Sequence, residues 1–336
     1  MPSFKLTNDL EFFYLDSGTT GLKSTHTTLF ALHGGSFFSG TFKRLLVAAP
    51  NHGFRIIAIN RRGYPSSTPY SSAEAERILT GGEEARAAYL AETGRDLALL
   101  LDGLITELSI PSDIMLLGWS HGNVSLLALV DTIRGPSLPG ATKDRLRQRV
   151  KDVVLFQANI DGLGIEYPPG LISPPLDPSI PPEDLGKVWA AWGSSHFLHG
   201  DLSTHSLDQL TSSHTNPNKR PTIDSGELKL DEHFVGVEEI AVDISILQPK
   251  WMAALDAVVQ RVLFREPSGE RYWVIYGTAE MWTPIYTAWE LERRLAEAKN
   301  SADVHFKGME GANHMVVWED PDAVLRELRS CAEYKH

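Results

Sequence analysis

The sequence predicts an α/β fold in which helices cover both faces of a mostly parallel central sheet. Short, largely apolar runs recur along the chain, and most of them end in glycine or polar residues. Between these runs lie segments whose apolar residues repeat at helical spacing. Strands that are apolar throughout are buried on both faces, and strands that alternate with helices form parallel sheets. These observations together predict the α/β class.

The strands and helices follow in order along the chain. Strands are predicted at residues 28–32, 54–59, 114–117, 153–156, 272–276 and 302–306, the last of which contains two polar residues. Helices are predicted at about residues 83–108, 123–133 and 286–299, and a further helix opens at Pro321. In such sheets functional residues gather where the strands end, at the C-terminal edge. The search for a site therefore starts at the residues that follow each strand.

The segment of residues 162–249 interrupts this alternation. It opens with a cluster of prolines and continues with four histidines among polar residues: Pro168, Pro169, Pro174, Pro175, Pro178, Pro181, Pro182, His196, His199, His205 and His214. The strand and helix alternation resumes after it. We expect an inserted, partly helical cap over the C-terminal edge of the sheet, with residues 1–161 and 250–336 forming the core.

Composition narrows the function classes. The 336 residues have a net charge of −12, and no cluster of Lys and Arg offers the basic face that nucleic-acid binding needs. Cys331 is the single cysteine, so neither a disulfide nor a cysteine-based metal site is expected within one chain. No apolar stretch reaches the roughly 18 residues of a membrane span, and the N-terminus lacks a signal-peptide pattern. We expect a cytoplasmic protein without membrane or nucleic-acid partners, either a monomer or a homodimer.

The stretch Gly118-Trp119-Ser120-His121-Gly122 joins a predicted strand to a predicted helix. Glycines on both sides permit a tight, strained turn that exposes the serine hydroxyl at the N-terminus of the helix, where negative charge is favoured. An ordinary glycine-rich turn is the alternative for the pattern alone. The strand and helix context favours Ser120 as a nucleophile.

A serine nucleophile needs a base and an acid that orients the base. His314 lies in Met309-Glu310-Gly311-Ala312-Asn313-His314, after the last predicted strand. Glu280 lies three residues beyond Gly277, where the preceding strand ends. Both residues would reach the same edge of the sheet as Ser120. For each of them, the alternative is a purely structural role in a loop.

The Gly34-Gly35 pair follows the first central strand and exposes backbone N–H groups. Either Gly35 or Ser36, together with the His121 N–H, could bind an oxyanion; a tight turn without a ligand is the alternative. The loss of one such donor typically lowers the rate about 100- to 1,000-fold.

These motifs resemble those of the α/β-hydrolase fold family, specifically its serine-nucleophile members with a cap domain. The resemblance covers nearly the whole chain except the insertion, and it includes Arg62-Gly63-Tyr64 and Ser67 after the second central strand. It implies the family order of nucleophile, acid and histidine, here Ser120, Glu280 and His314. Asp161 is a rival acid, because some relatives have the acid after the next strand, the one that follows the helix beginning just beyond the nucleophile. Glu280 also departs from the more frequent Asp, and Asn60 stands where such sequences often have Asp.

The resemblance implies a serine hydrolase of a hydrophobic ester, lactone or related small-molecule carbonyl substrate, with neither metal nor organic cofactor. Epoxide hydrolases and haloalkane dehalogenases of this fold use an Asp nucleophile, so Ser120 argues against both. Two alternatives keep the fold. One is triad-based condensation, cyclisation or lyase chemistry, and the other is a ligand-binding receptor.

Overall fold

The computed structural model describes residues 2–23, 25–111, 113–236 and 240–334, and an eight-stranded sheet runs through the centre of this part of the chain. The strands are β1 (Ser3–Lys5), β2 (Glu11–Asp16), β3 (Thr27–Leu32), β4 (Phe54–Ile59), β5 (Ile114–Trp119), β6 (Val150–Phe156), β7 (Arg271–Gly277) and β8 (Asp303–Met309). Their order in the sheet is β1-β2-β4-β3-β5-β6-β7-β8. Strands β3 to β8 are parallel, and β1 and β2 add an antiparallel edge. The predicted fold class is confirmed.

All the predicted strands are present, and most are extended by one to three residues at an end. Strands β1 and β2 escaped the sequence analysis. Strand β2 lies between β1 and β4, and its residues Phe12, Phe13 and Tyr14 are all buried while Glu11 is exposed. Its antiparallel pairing, with Tyr14 opposite Ile59, lies outside the alternation of strands and helices that identified the others.

The helices lie mainly in the connections between strands. They are α1 (Lys43–Ala48), α2 (Ser72–Thr80), α3 (Glu83–Glu107), α4 (Gly122–Arg134), α5 (Gly140–Arg149), α6 (Ile160–Leu163), α7 (Pro182–Gly193), α8 (Leu230–His233), α9 (Ala241–Ile246), α10 (Met252–Leu263), α11 (Trp282–Glu297), α12 (Val316–Glu319) and α13 (Pro321–Ala332). None of the helices in the described residues is both long and apolar enough to cross a membrane.

Alternation along each strand divides the core into two layers. In β3, Phe30 and Leu32 join the apolar cluster under α3, α4 and α10, whereas Leu29 and Ala31 join the cluster under α1 and α13. Successive side chains of a strand point to opposite faces, so a strand that is apolar throughout requires helices on both sides. Because β3 to β8 are parallel, their C-terminal ends lie along one edge of the sheet.

Residues 162–249, the predicted cap and called the cap segment below, add no strand to the sheet in the described part of the chain. They form α7 to α9, short 3₁₀ turns and isolated bridges, one of which pairs Phe234 with Phe37 of the core. The exact division into core and cap remains a prediction.

Candidate active site

Ser120 occupies a strained turn between β5 and α4. Its φ of 55° lies in the left-handed region, which residues other than glycine rarely adopt, and its N–H donates to Phe156 O at 2.9 Å. A Cβ atom at Gly122 would lie 2.4 Å from Leu32 O, and one at Gly118 would lie 2.9 Å from the Asn123 backbone. Both flanking glycines are therefore required by close packing, and the turn holds Ser120 at the edge where the parallel strands end.

His314 and Glu280 form a buried pair in the loops that follow β8 and β7. The two side chains meet at 2.8 Å between His314 Nδ1 and Glu280 Oε2, and Glu280 is completely buried. The other carboxylate oxygen accepts the Gly277 N–H at 2.6 Å. A carboxylate can only accept, so His314 donates through Nδ1 and leaves Nε2 free to act as a base. Burial raises the pKa of Glu280, and the hydrogen bonds from His314 and Gly277 oppose this effect.

Trp119 connects the histidine loop to the nucleophile turn. Its indole N–H donates both to His314 O, at 3.2 Å, and to Gln157 Oε1, at 2.9 Å, and its ring lies 5.5 Å from the imidazole, between centroids. Gln157 in turn donates to Asn313 O at 2.8 Å. These bonds hold His314 against the residue that precedes Ser120.

Among the residues that the structure describes, no hydrogen bond joins Ser120 Oγ to His314. The hydroxyl instead has a long contact of 3.5 Å with Asn159 Nδ2, and Asn159 Oδ1 accepts a hydrogen bond from Thr283 Oγ1 at 2.9 Å. Thr283 thereby turns the amide N–H₂ of Asn159 toward the nucleophile. In serine enzymes the hydrogen bond between nucleophile and base is often long or poorly aligned until substrate binds.

Asn159 was not singled out by the sequence analysis. The one available signal was its position, three residues beyond Phe156 where β6 ends at the C-terminal edge of the sheet. Its contact with Ser120 depends on tertiary structure, which a single sequence does not provide.

Asp161, the rival acid, lies in α6 and pairs with a different partner. Tyr167 Oη donates to Asp161 Oδ2 at 3.0 Å, whereas the His314 imidazole is bonded to Glu280. Burial raises the pKa of Asp161 to about 6, against the opposing effect of the Tyr167 hydroxyl. The structure thus brings Glu280, and not Asp161, into contact with His314.

The raised pKa of Asp161 leads to a prediction about stability. A carboxyl group whose pKa is higher in the folded than in the unfolded protein stabilises the fold at low pH, and this contribution is lost as the pH rises through the folded pKa. For Asp161 the window runs from pH 3.8 to about 6. Asp161→Asn cannot ionise but still accepts from Tyr167. We expect its free energy of unfolding at pH 7.5 to exceed that of the wild type by about 2–3 kcal/mol.

Urea unfolding of both proteins between pH 4 and pH 7.5 measures this difference. The advantage of the variant should shrink toward zero at the acidic end of the range. A difference that stays constant with pH would contradict the assignment of the raised pKa to Asp161.

The loop of residues 33–36, called the oxyanion loop below after its predicted role, has one free N–H group among its two candidate donors. The N–H groups of Gly35 and His121 have no hydrogen-bond partner among the described residues. The Ser36 N–H, in contrast, donates to Tyr64 Oη at 3.1 Å. Of the two loop donors that the sequence left open, Gly35 is therefore the one that remains available.

The oxyanion loop lies directly against the nucleophile turn. A Cβ atom at Gly34 would be 3.2 Å from Ser120 Cβ, and one at Gly35 would be 3.6 Å from His121 Cβ. The His121 imidazole is buried with Nε2 3.7 Å from Asp243 Oδ1, and burial lowers its pKa to about 4. His121 is therefore neutral near pH 7. In the described ranges, no group of three or more His, Cys, Asp or Glu side chains could hold a metal ion.

The cap segment hydrogen-bonds to the loops that hold the buried pair. His199 Nε2 donates to Glu280 O at 2.8 Å, and the Phe197 N–H donates to Ala279 O at the same distance. Asn313, next to His314, donates to Ser194 O at 3.0 Å. These contacts accompany the near-complete burial of the site, in which Ser120 is 8% and His314 6% exposed.

Comparison with known families agrees with the fold. The sequence model of the alpha/beta hydrolase family matches residues 29–327. No curated protein sequence matches the chain at a significant level.

Solved structures with the same fold include enzymes of different specificity. An epoxide hydrolase from Vigna radiata has a TM-score of 0.55 at 12% identity, with 99% of this chain and 97% of that chain covered. An esterase from Exiguobacterium antarcticum has a TM-score of 0.54 at 13% identity, with 99% of both chains covered. An esterase from a Rhodococcus species has a TM-score of 0.52 at 17% identity, with 98% and 97% covered. At these identities the similarity shows the fold alone.

Proposed function

The chain belongs to the alpha/beta hydrolase family, and we propose that it is a serine hydrolase that cleaves a small to medium-sized, hydrophobic ester, lactone or related carbonyl compound. The observation that supports this most directly is the buried His314–Glu280 pair beside the strained Ser120 turn. The structural neighbours include esterases and an epoxide hydrolase. Serine rather than aspartate at the nucleophile position favours an esterase-like reaction.

In the proposed reaction, His314 Nε2 takes the proton of Ser120 Oγ as the oxygen attacks the substrate carbonyl carbon. Glu280 holds the imidazole through Nδ1 and stabilises the positive charge that develops on it. The carbonyl oxygen becomes negative and accepts hydrogen bonds from the N–H groups of Gly35 and His121. Asn159 lies beside Ser120 Oγ and can contribute a further N–H donor at this point.

The tetrahedral intermediate then collapses. His314 gives its proton to the leaving oxygen, and the acyl group stays on Ser120 as an ester. A water molecule, deprotonated by His314, attacks this ester, and a second tetrahedral intermediate releases the carboxylic acid and restores Ser120. Every proton transfer uses residues of this chain, so the cycle needs no cofactor.

Aromatic packing around the turn supports a hydrophobic substrate. Phe37 lies between Trp119, at 6.2 Å between ring centroids, and Phe234 of the cap segment, at 5.1 Å. Arg61, a buried charge nearby, is already paired with Asp243. An apolar acyl or alcohol group would be favoured over a charged one in such surroundings.

Labelling with a fluorophosphonate tests the proposal without a choice of substrate. The probe reacts with a serine that is activated by a base, and the adduct is mapped by mass spectrometry after digestion. We expect one adduct per chain, on Ser120, that is lost when the protein is denatured before labelling. Native protein that stays unlabelled and does not hydrolyse short-chain esters would contradict the proposal and would favour a binding role for the fold.

A further inference from the structure

The oxyanion loop is held by side chains from the segment that follows β4. Arg61 donates through Nε to His33 O at 3.2 Å and through Nη2 to Gly34 O at 2.8 Å. Tyr64 Oη accepts the Ser36 N–H at 3.1 Å. His33 strengthens the turn, since its Nδ1 donates to Gly34 O at 2.9 Å. The backbone groups on both sides of Gly35 are thus fixed.

Asp243, in helix α9 of the cap segment, accepts hydrogen bonds from both Arg61 and Tyr64. Its Oδ1 accepts from Arg61 Nη1 at 3.0 Å, and its Oδ2 accepts from Arg61 Nη2 at 2.5 Å and from Tyr64 Oη at 2.7 Å. Arg61 and Asp243 are 5% and 4% exposed. Burial alone would raise the pKa of Asp243, but the Arg61 guanidinium lowers it to about 2, so the carboxylate is ionised near pH 7.

A second part of the cap segment pairs with the same loop and with Phe38, two residues beyond it. The Val235 N–H donates to Ser36 O at 2.8 Å, and the Phe38 N–H donates to His233 O at 3.3 Å. Ser36 itself has a φ of 61°, a conformation that is unfavourable for serine and persists where surrounding bonds fix it. The bonds to Tyr64 and Val235 supply that fixation on both sides of the residue.

We infer that Asp243 is a positioning residue, which acts through Arg61 and Tyr64 to aim the Gly35 N–H at the oxyanion. This inference rests on the proposed function. A buried ion pair contributes little net stability, because the desolvation of both charges offsets their attraction. Because Arg61 of this pair also donates to two carbonyl groups of the oxyanion loop, its role is better explained by the loop geometry that it fixes than by a gain in stability. The oxyanion hole is then complete only when the cap segment is docked on the core.

The test compares Asp243→Asn with Asp152→Asn. Asp152 is a matched control, since it is also buried and accepts from one arginine, Arg271, and one aromatic donor, Trp273 Nε1, both at 2.9 Å. It lies near the start of β6, at the edge of the sheet opposite to the site. Tyr64→Phe is a second test variant that removes one hydroxyl and leaves the Arg61–Asp243 pair, so that the test does not depend on one variant folding.

We expect Asp243→Asn and Tyr64→Phe to lower kcat on a p-nitrophenyl ester about 10- to 100-fold, with KM changed less than about twofold. The affinity for a trifluoromethyl ketone, which forms a tetrahedral oxyanion on serine, should fall by the same factor as kcat/KM. Asp152→Asn should keep both values within about twofold. Rates are divided by the fraction of protein that a fluorophosphonate labels, which removes any contribution of unfolded protein.

Three results would overturn the inference, and they can be told apart. If the wild-type protein hydrolyses the ester and both test variants match Asp152→Asn, the positioning role is wrong and the proposed function stands. If the wild-type protein shows neither turnover nor a Ser120 adduct, the proposed function fails and the positioning role fails with it. A rise in KM at constant kcat would also contradict the positioning role, because it would indicate lost substrate binding.

Discussion

Ser120→Ala is expected to lower kcat on a p-nitrophenyl ester by at least about 10,000-fold, while KM changes less than about threefold. The hydroxyl is the atom that forms the acyl-enzyme, and alanine provides no substitute for it. The residues of such a site act as a unit, so the loss of the nucleophile removes the contribution of His314 and Glu280 as well. The remaining rate would come from binding and the backbone N–H donors.

The turn itself should survive this substitution. Ser120 contributes its backbone N–H to Phe156 O and its carbonyl to Asn123, and alanine retains both groups. Ser125→Ala is the matched control, because Ser125 is a buried serine on the adjoining helix α4. It should keep wild-type kcat within about twofold. A Ser120→Ala protein that retained half of the wild-type activity would overturn the entire mechanism.

The sequence was sufficient for the parallel part of the fold. Runs such as residues 114–117 and 153–156 are apolar on both faces, and physical chemistry offers such strands one solution, a sheet covered by helices on both sides. Strands β1 and β2 were missed because they are short and are held by antiparallel pairing, β1 with β2 and β2 with β4. Their identity depends on a neighbour distant in sequence, not on local pattern.

In the candidate site, too, some residues could be predicted from the sequence and others depend on tertiary structure. Ser120, Glu280 and His314 could be selected as candidates because each follows a strand and lies near a glycine: Gly118 and Gly122, Gly277, and Gly311. Asp243 could not, because its partner Arg61 lies 182 residues away and the surrounding cap segment has little periodic pattern. Substrate identity is equally absent from the sequence, since it depends on how the cap segment packs over the site.

The sequence left open which carboxylate serves His314, and Glu280→Gln compared with Asp161→Asn decides it. Glu280 accepts on both oxygens, from the Gly277 N–H and from His314 Nδ1. A glutamine has one oxygen, so its amide N–H₂ must face one of these two donors. If it faces His314, the imidazole must carry its proton on Nε2, which removes the base. In either orientation the charge that stabilises the imidazolium is lost.

We therefore expect Glu280→Gln to lower kcat about 1,000- to 10,000-fold at neutral pH, as removal of the orienting charge does in a serine triad. Asp161→Asn makes the same chemical change, carboxylate to amide, but keeps an acceptor for Tyr167, so its kcat should stay within about threefold of wild type. Both are assayed on the same ester, per active site labelled. The reverse order of losses would identify Asp161 as the acid, and it would require His314 to leave Glu280 during turnover. Small losses of kcat in both variants would mean that His314 works without a carboxylate. This is the least expected result, because His314 Nδ1 and Glu280 Oε2 are in contact at 2.8 Å.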